Sequence, residues 1–189
     1  DAERLRITSD GKVGVGTSSP ASLDSYADDL VVGGGSGSRG VTIYSAGTAD
    51  ANGYGSLFFA DGVATAAEKY AGYIQYYHGD NKLTLGTSAT EALTIDSSQR
   101  VGIGTTSPVR ELQLGDNTSS AEVISLQTST SGNGSIYFGD NSATSAEYAG
   151  MLRYSHSDNA MQFWTSSTER ARIDSSGRLL VGTSSSIGP

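Results

Sequence analysis

VGIGTTSP, residues 101–108, restates VGVGTSSP at residues 13–20 almost letter for letter, and LLVGTSSS at residues 179–186 is a third, altered copy. The lead-ins match as well: AERLRITSDGK, TEALTIDSSQR and TERARIDSSGR. In the first copy Val13 and Val15 share one face of a strand, and Gly14 and Gly16 hold the other. Glycine in a strand costs backbone entropy, so it marks a bulge or the close approach of another backbone. Gly16, Gly104 and Gly182 recur, whereas Gly14 and Gly102 give way to Leu180. Only the second glycine position therefore reads as sterically demanding. Pro20 and Pro108 cannot donate to a ladder. The motif reads as a stop, where one strand ends and the chain steps to the next module.

Outward from this motif the repetition takes in most of the chain. Ile95 and Ile173 lie 78 residues apart, and the same offset carries Gly104 to Gly182, Leu85 to Phe163, Asp80 to Asp158 and His78 to His156. Upstream, GSLFFADGVATAAEKYAGYIQYYHGDN faces GSIYFGDNSATSAEYAGMLRYSHSDN, with Lys69 as one extra residue. The expected organisation is the tail end of a preceding repeat at 1–20, one β module at 21–108 and a second at 109–189. Inside a unit the dominant period is two: Leu83 with Leu85, and Met161 with Phe163, point the same way. Turn clusters (HGDN, TSATE, DSSQ, then SHSDN, TSSTE, DSSG) separate the runs. The pattern predicts a five-strand meander at roughly 55–61, 72–78, 82–88, 92–97 and 100–105. Its equivalent falls at roughly 134–140, 150–156, 160–166, 170–175 and 178–183. VATAAEKYA and SATSAEYA have the makings of a helical turn but read as loops.

Of 189 residues 25 are glycine, and hydrophobic residues make up 36%, below the usual globular share. Leu, Ile and Val are spread in ones and twos, so a single copy struggles to build a thick private core. A meander with one apolar stripe has a face to bury and edges to pair. Identical chains around a common axis cover both, and closed symmetry is the default for identical subunits. The expected fold is all-β: an elongated homotrimeric fibre of repeated short-strand β-meander modules, of β-prism or triple-β-helix type.

The net charge of −8 argues against a phosphate-tracking nucleic-acid binder and against an anionic membrane surface. No stretch approaches transmembrane length, and DAERLR lacks the apolar segment of a signal peptide. Without cysteine there is no disulfide framework or thiolate metal site. The chain starts inside one copy of the repeat and stops inside another, and reads as a piece of something longer.

Taken together, residues 3–20, 55–108 and 134–185 resemble repeats in tail fibres and tailspikes of tailed bacteriophages. The resemblance rests on the lead-in plus VGIGTTSP, preceded by the SIYFGD and AEYAGMLRYSHSDNAM segments. In that family such repeats commonly lie in the shaft, before a C-terminal self-cleaving chaperone domain that drives trimerisation. The resemblance implies a homotrimeric, β-rich fibre displayed on a virion and assembled in the host cytoplasm. Its implied partners are further copies of itself, other virion tail proteins and host cell-surface glycan, with no nucleic acid and no membrane insertion. No cofactor and no enzymatic activity are expected. A virion-anchoring head is not recognisable, and SSSIGP leads into no chaperone domain.

The residues that offer chemistry also have turn and packing roles. His78 and His156 occupy one repeat position beside Asp80 and Asp158, and in a trimer each would form a ring of three imidazoles, a plausible transition-metal site. The plainer reading is a hairpin-corner histidine. GDN at 79–81 and 139–141, and Ala60–Asp61, offer too few oxygen ligands in alternation for a calcium loop. GGGSGSRG at 33–40 lacks the Gly-Lys-Ser/Thr ending of a phosphate cradle and reads as a surface loop. Glu68 with Glu147, and Glu91 with Glu169, recur at equivalent sites, which suits structure better than one glycosidase pair. Tyr70, Tyr73, Tyr76, Tyr77, Tyr137, Tyr148, Tyr154 and Trp164 read first as packing residues and second as a glycan-stacking surface.

Overall fold

Period-two runs punctuated by turn residues become short antiparallel strands. Among its described residues the computed structural model is all-β, with three sheets, none of them closed. It describes residues 3–23, 25–34, 37–45, 53–116, 118, 123–140 and 148–185. Two compact units divide the chain, Asp1–Glu122 and Val123–Pro189.

The first unit holds two sheets. One joins β1 (Leu5–Ile7), β2 (Val13–Val15) and β3 (Leu30–Val32) in that order. The other runs β4 (Tyr54–Phe59), β5 (Gly72–Tyr77), β6 (Lys82–Thr87), β7 (Thr90–Ile95), β8 (Val101–Ile103) and β9 (Leu112–Leu114), each beside the next. The second unit repeats the plan with β10 (Asn133–Phe138), β11 (Gly150–Ser155), β12 (Ala160–Thr165), β13 (Thr168–Ile173) and β14 (Leu179–Val181). Corresponding strands keep the same register: Ile74 faces Leu85 where Leu152 faces Phe163. The bulge recurs too, after Leu85 in one sheet and after Phe163 in the other.

The turns explain the punctuation. At the β6–β7 and β12–β13 corners, Ser88, Ala89, Ser166 and Ser167 all have φ between 50° and 57°, the left-handed pair that a two-residue hairpin requires. After β7 and β13 an aspartate organises the turn. Asp96 Oδ1 accepts from the amides of Ser98 (2.9 Å) and Arg100 (3.0 Å), and Asp174 Oδ1 accepts likewise from Ser176 (2.9 Å) and Arg178 (3.0 Å). Both are closed by an arginine, Arg100 Nη2 and Arg178 Nη2, at 2.7 Å. The first copy substitutes Thr8, whose Oγ1 accepts from Lys12 N at 2.9 Å.

The motif at 13–20 and 101–108 does not end pairing. Beyond it the chain returns and lays down one more strand in parallel, β3 beside β2 and β9 beside β8. Strand pairing thus carries past residues 20 and 108, where the repeats were expected to divide. Gly16 and Gly104 make the turn at φ +76° and +71°. Gly14 and Gly102 are demanding as well, because a Cβ on either would lie 2.5 Å from the Thr17 or Thr105 carbonyl oxygen. The fully buried Pro20 and Pro108 cap the same two glycines. Where Leu180 replaces the glycine, Ser186 stands in the proline's place.

VATAAEKYA does contain a helical turn, α1 (Ala66–Lys69). Thr65 Oγ1 accepts from Glu68 N (3.2 Å), and Glu68 Oε2 accepts from Thr65 N (3.3 Å), a capping box that lets one turn stand alone. Most of its counterpart SATSAEYA, residues 142–147, lies outside the described residues.

Candidate functional site

The distribution of burial is inverted. Among the described residues the buried apolar side chains, apart from Pro20 and Pro108, are Tyr73, Met151 and Ala160, while Asp28, Thr84, Thr94, Ser155 and Gln162 are buried polar ones. The register explains how. On one face of the β4–β9 sheet, Leu57, Ile74, Leu85, Leu93, Ile103 and Leu114 form a continuous cross-strand row. A second row on that face comprises Tyr76, Leu83, Ile95, Val101 and Leu112. Yet Leu57 is 50% exposed, Ile74 42%, Leu85 39% and Ile103 46%. In the second unit the equivalent row is Ile136, Leu152, Phe163, Ala171 and Val181, and Ile136, Phe163 and Val181 are exposed. Leu5, Val15 and Val32 repeat it on β1–β3, exposed again. Strands touch chiefly their hydrogen-bonded neighbours within a sheet. These rows have the composition of a core and the exposure of a surface.

The opposite face is polar and better packed. Ser56, Gln75, Thr84, Thr94, Gly102 and Gln113 line up across it. Gln75 Nε2 donates to Ser56 Oγ at 2.9 Å, and Lys82 reaches Glu91 at 3.3 Å. Here the two full copies solve one packing problem differently. Tyr73 lies over Gly86, while at the same register pair Met151 faces Trp164. Arg153 stacks on Trp164 at 4.7 Å and donates to Gln162 at 2.6 Å; Arg172 grips Glu169 with bonds of 2.5 and 2.7 Å. Burial holds the Tyr73 phenol above its ordinary value, with the Glu91 charge adding to it. Asp96 is depressed chiefly by the hydrogen bond it accepts from the Arg100 amide, and Asp174 chiefly by the one it accepts from the Arg178 side chain.

The sequence candidates scatter over this frame. His78 and His156 sit at the ends of β5 and β11, edge-on to Tyr76 and Tyr154 at 5.0 and 4.9 Å. Their backbone amides bond Gly53 and Gly132. Asp80 and Asp158 are exposed turn residues, and no group of three or more His, Cys, Asp or Glu gathers among the described residues. Asn81 at φ 51° accepts from the Tyr76 hydroxyl, as Asn159 does from Tyr154. Within GDN at 139–141, Asn141 lies outside the described residues; Asp61 N bonds the Glu68 carbonyl beside α1. In 33–40 Arg39 folds back onto Gly33 and donates to the Gly34 carbonyl at 2.5 Å. Glu68 caps α1, Glu91 meets Lys82, Glu169 meets Arg172, and Glu147 lies outside the described residues.

The aromatic residues divide between faces. Tyr76 and Tyr154 join the apolar rows, whereas Tyr70, Tyr73 and Tyr77 cluster on the other side with Tyr54 and Phe58. Tyr54 and Tyr77 stack at 4.6 Å, and Phe58, Tyr70, Tyr73 and Gln75 line a shallow cleft. Tyr137 meets Tyr148 at 6.0 Å in the second unit. Tyr54 and Phe58 were passed over in the sequence, although the alternation in YGSLFF carries both. Neither a protein-family model nor a curated protein matches the chain.

Proposed function

We propose that the chain is a structural segment of a bacteriophage tail fibre, in which three identical copies form a β-rich shaft by covering one another's apolar sheet faces. The observation that carries this is the inverted burial: aliphatic rows half open to solvent beside threonines that are closed off. Repetition supports it, because the apolar face is kept in all three sheets while the polar face is rebuilt between copies. The function is geometric, with no turnover. Stacked modules supply length, burial between chains supplies stiffness, and the shaft holds a receptor-binding tip away from the virion. Glu68, Glu91 and Glu169, each engaged by its own partners, fit scaffolding better than polysaccharide cleavage. Negative-stain images and trypsin digestion test this. Rods resistant to digestion are expected; compact, rapidly cut particles would contradict it.

A second reading has its own observation. The Tyr54–Tyr77 stack and the half-exposed Phe58 present aromatic faces outside the apolar rows, suited to stacking on a cell-surface glycan. Glycan arrays with Tyr54→Ala and Phe58→Ala separate the two, since a passive shaft shows no specific ligand.

A further inference from the structure

Two segments outside the strands carry backbone that no described residue of their own chain satisfies. Residues 41–45, VTIYS, and 123–127, VISLQ, belong to no helix or strand. Among the described residues neither makes a backbone hydrogen bond. Both alternate: Val41 and Ile43 with Thr42 and Tyr44, then Ile124 and Leu126 with Ser125 and Gln127. Val41 is 73% exposed and Ile124 67%.

They also sit at one place in the repeat. A Cβ on Gly55 would lie 3.7 Å from the Ile43 carbonyl oxygen, and one on Gly134 would lie 3.5 Å from that of Leu126. Each segment crosses its sheet face over a glycine of the first strand. The groove so formed joins Ile43 to Leu57 and Ile74, and Leu126 to Ile136 and Leu152. Among the described residues β4 and β10, the first strands of their sheets, each leave one backbone edge unpaired along six residues. Long, flat, apolar edges invite another strand.

We propose that residues 41–45 and 123–127 are donated strands, each completing its backbone hydrogen bonding on the open β4 or β10 edge of a second copy of this chain. The inference rests on the assembly proposed above and names how its chains interlock. A second copy is the occupant for two reasons. Each full module supplies one donor of five residues and one edge of six, so donation around a closed ring uses every one of both. The donor also borders the apolar face whose cover the assembly already requires. A foreign peptide would fill the edges and leave the donors unsatisfied.

Hydrogen exchange read by mass spectrometry, on the whole chain with its mass measured in the same sample, tests this. Amides 42–45 and 124–127 should exchange at least about 100-fold more slowly than free peptide in the assembled protein, and at the free rate in monomeric Ile74→Asp. An assembled protein whose segments exchange freely overturns the donated strands while leaving the fibre reading intact. Protection that persists in the monomer means that the segments pair with their own edges, and also overturns it. A wild-type monomer removes both readings.

Discussion

Ile74→Asp places a carboxylate in the middle of the apolar row, between Leu57 and Leu85. Full burial of an isoleucine is worth about 1.5–3 kcal/mol, and 42% of Ile74 is open in the single chain, so assembly recovers about 1 kcal/mol per chain there. An unpaired carboxylate forfeits that gain and adds a desolvation cost of several kcal/mol. Over three chains the penalty is about 10 kcal/mol, close to the roughly 12 kcal/mol of a nanomolar association. Phe58→Asp is the matched control: Phe58 is 49% exposed, but on the opposite face. Analytical ultracentrifugation at micromolar concentration should show a trimer for wild type and Phe58→Asp, and a folded monomer for Ile74→Asp. Acid should restore some assembly of Ile74→Asp, because burial raises a carboxyl pKa. If Ile74→Asp assembles as wild type does, or both variants dissociate equally, the reasoning fails.

Further outcomes follow from the packing and the turns. A Cβ on Gly86 would lie 2.1 Å from the Tyr73 ring, so Gly86→Ala should cost about 1–3 kcal/mol in urea unfolding. Adding Tyr73→Met, which copies the Met151 solution, should recover at least half of the loss; additive effects would contradict the contact. Gln99 and Ala89 hold φ at 64° and 57°, and glycine at either should raise stability by about 0.5–1 kcal/mol on thermal melting. Asp96 and Asp174 have depressed pKa values when folded, so their contribution is full above the usual carboxylate range and is lost as pH falls through the lower folded values, below about pH 4. Asp96→Asn with Asp174→Asn should flatten the acid limb of stability against pH, and an unchanged slope would count against this account of the turns.

Strand positions were legible because alternation and turn chemistry are local: β5, β6, β11 and β12 start where the pattern predicts and stop one residue early. The β7 and β13 strands start two residues sooner than expected, because Thr90 and Thr168 pair directly across the two-residue turns. What escaped was non-local. LVV and LQL are too short to show a period, and their parallel partners lie across the turn where Pro20 and Pro108 pack near Gly14 and Gly102. The capping box at Thr65 and Glu68 lies within VATAAEKYA, which read as a loop because its helical turn is too short to show a period. The apolar stripe was readable from Leu83, Leu85, Met161 and Phe163, but its exposure depends on what packs over it, which alternation alone does not encode. The carboxylate, histidine and tyrosine candidates were chosen by residue type, and the sheet registers distribute them over both faces.

Sedimentation equilibrium of the wild-type chain across a dilution series addresses the central claim most directly. The account predicts a mass three times the 19.5 kDa of one chain. A 19.5 kDa particle that stays cooperatively folded at nanomolar concentration would contradict it, because the open aliphatic rows would then need no other copy to cover them.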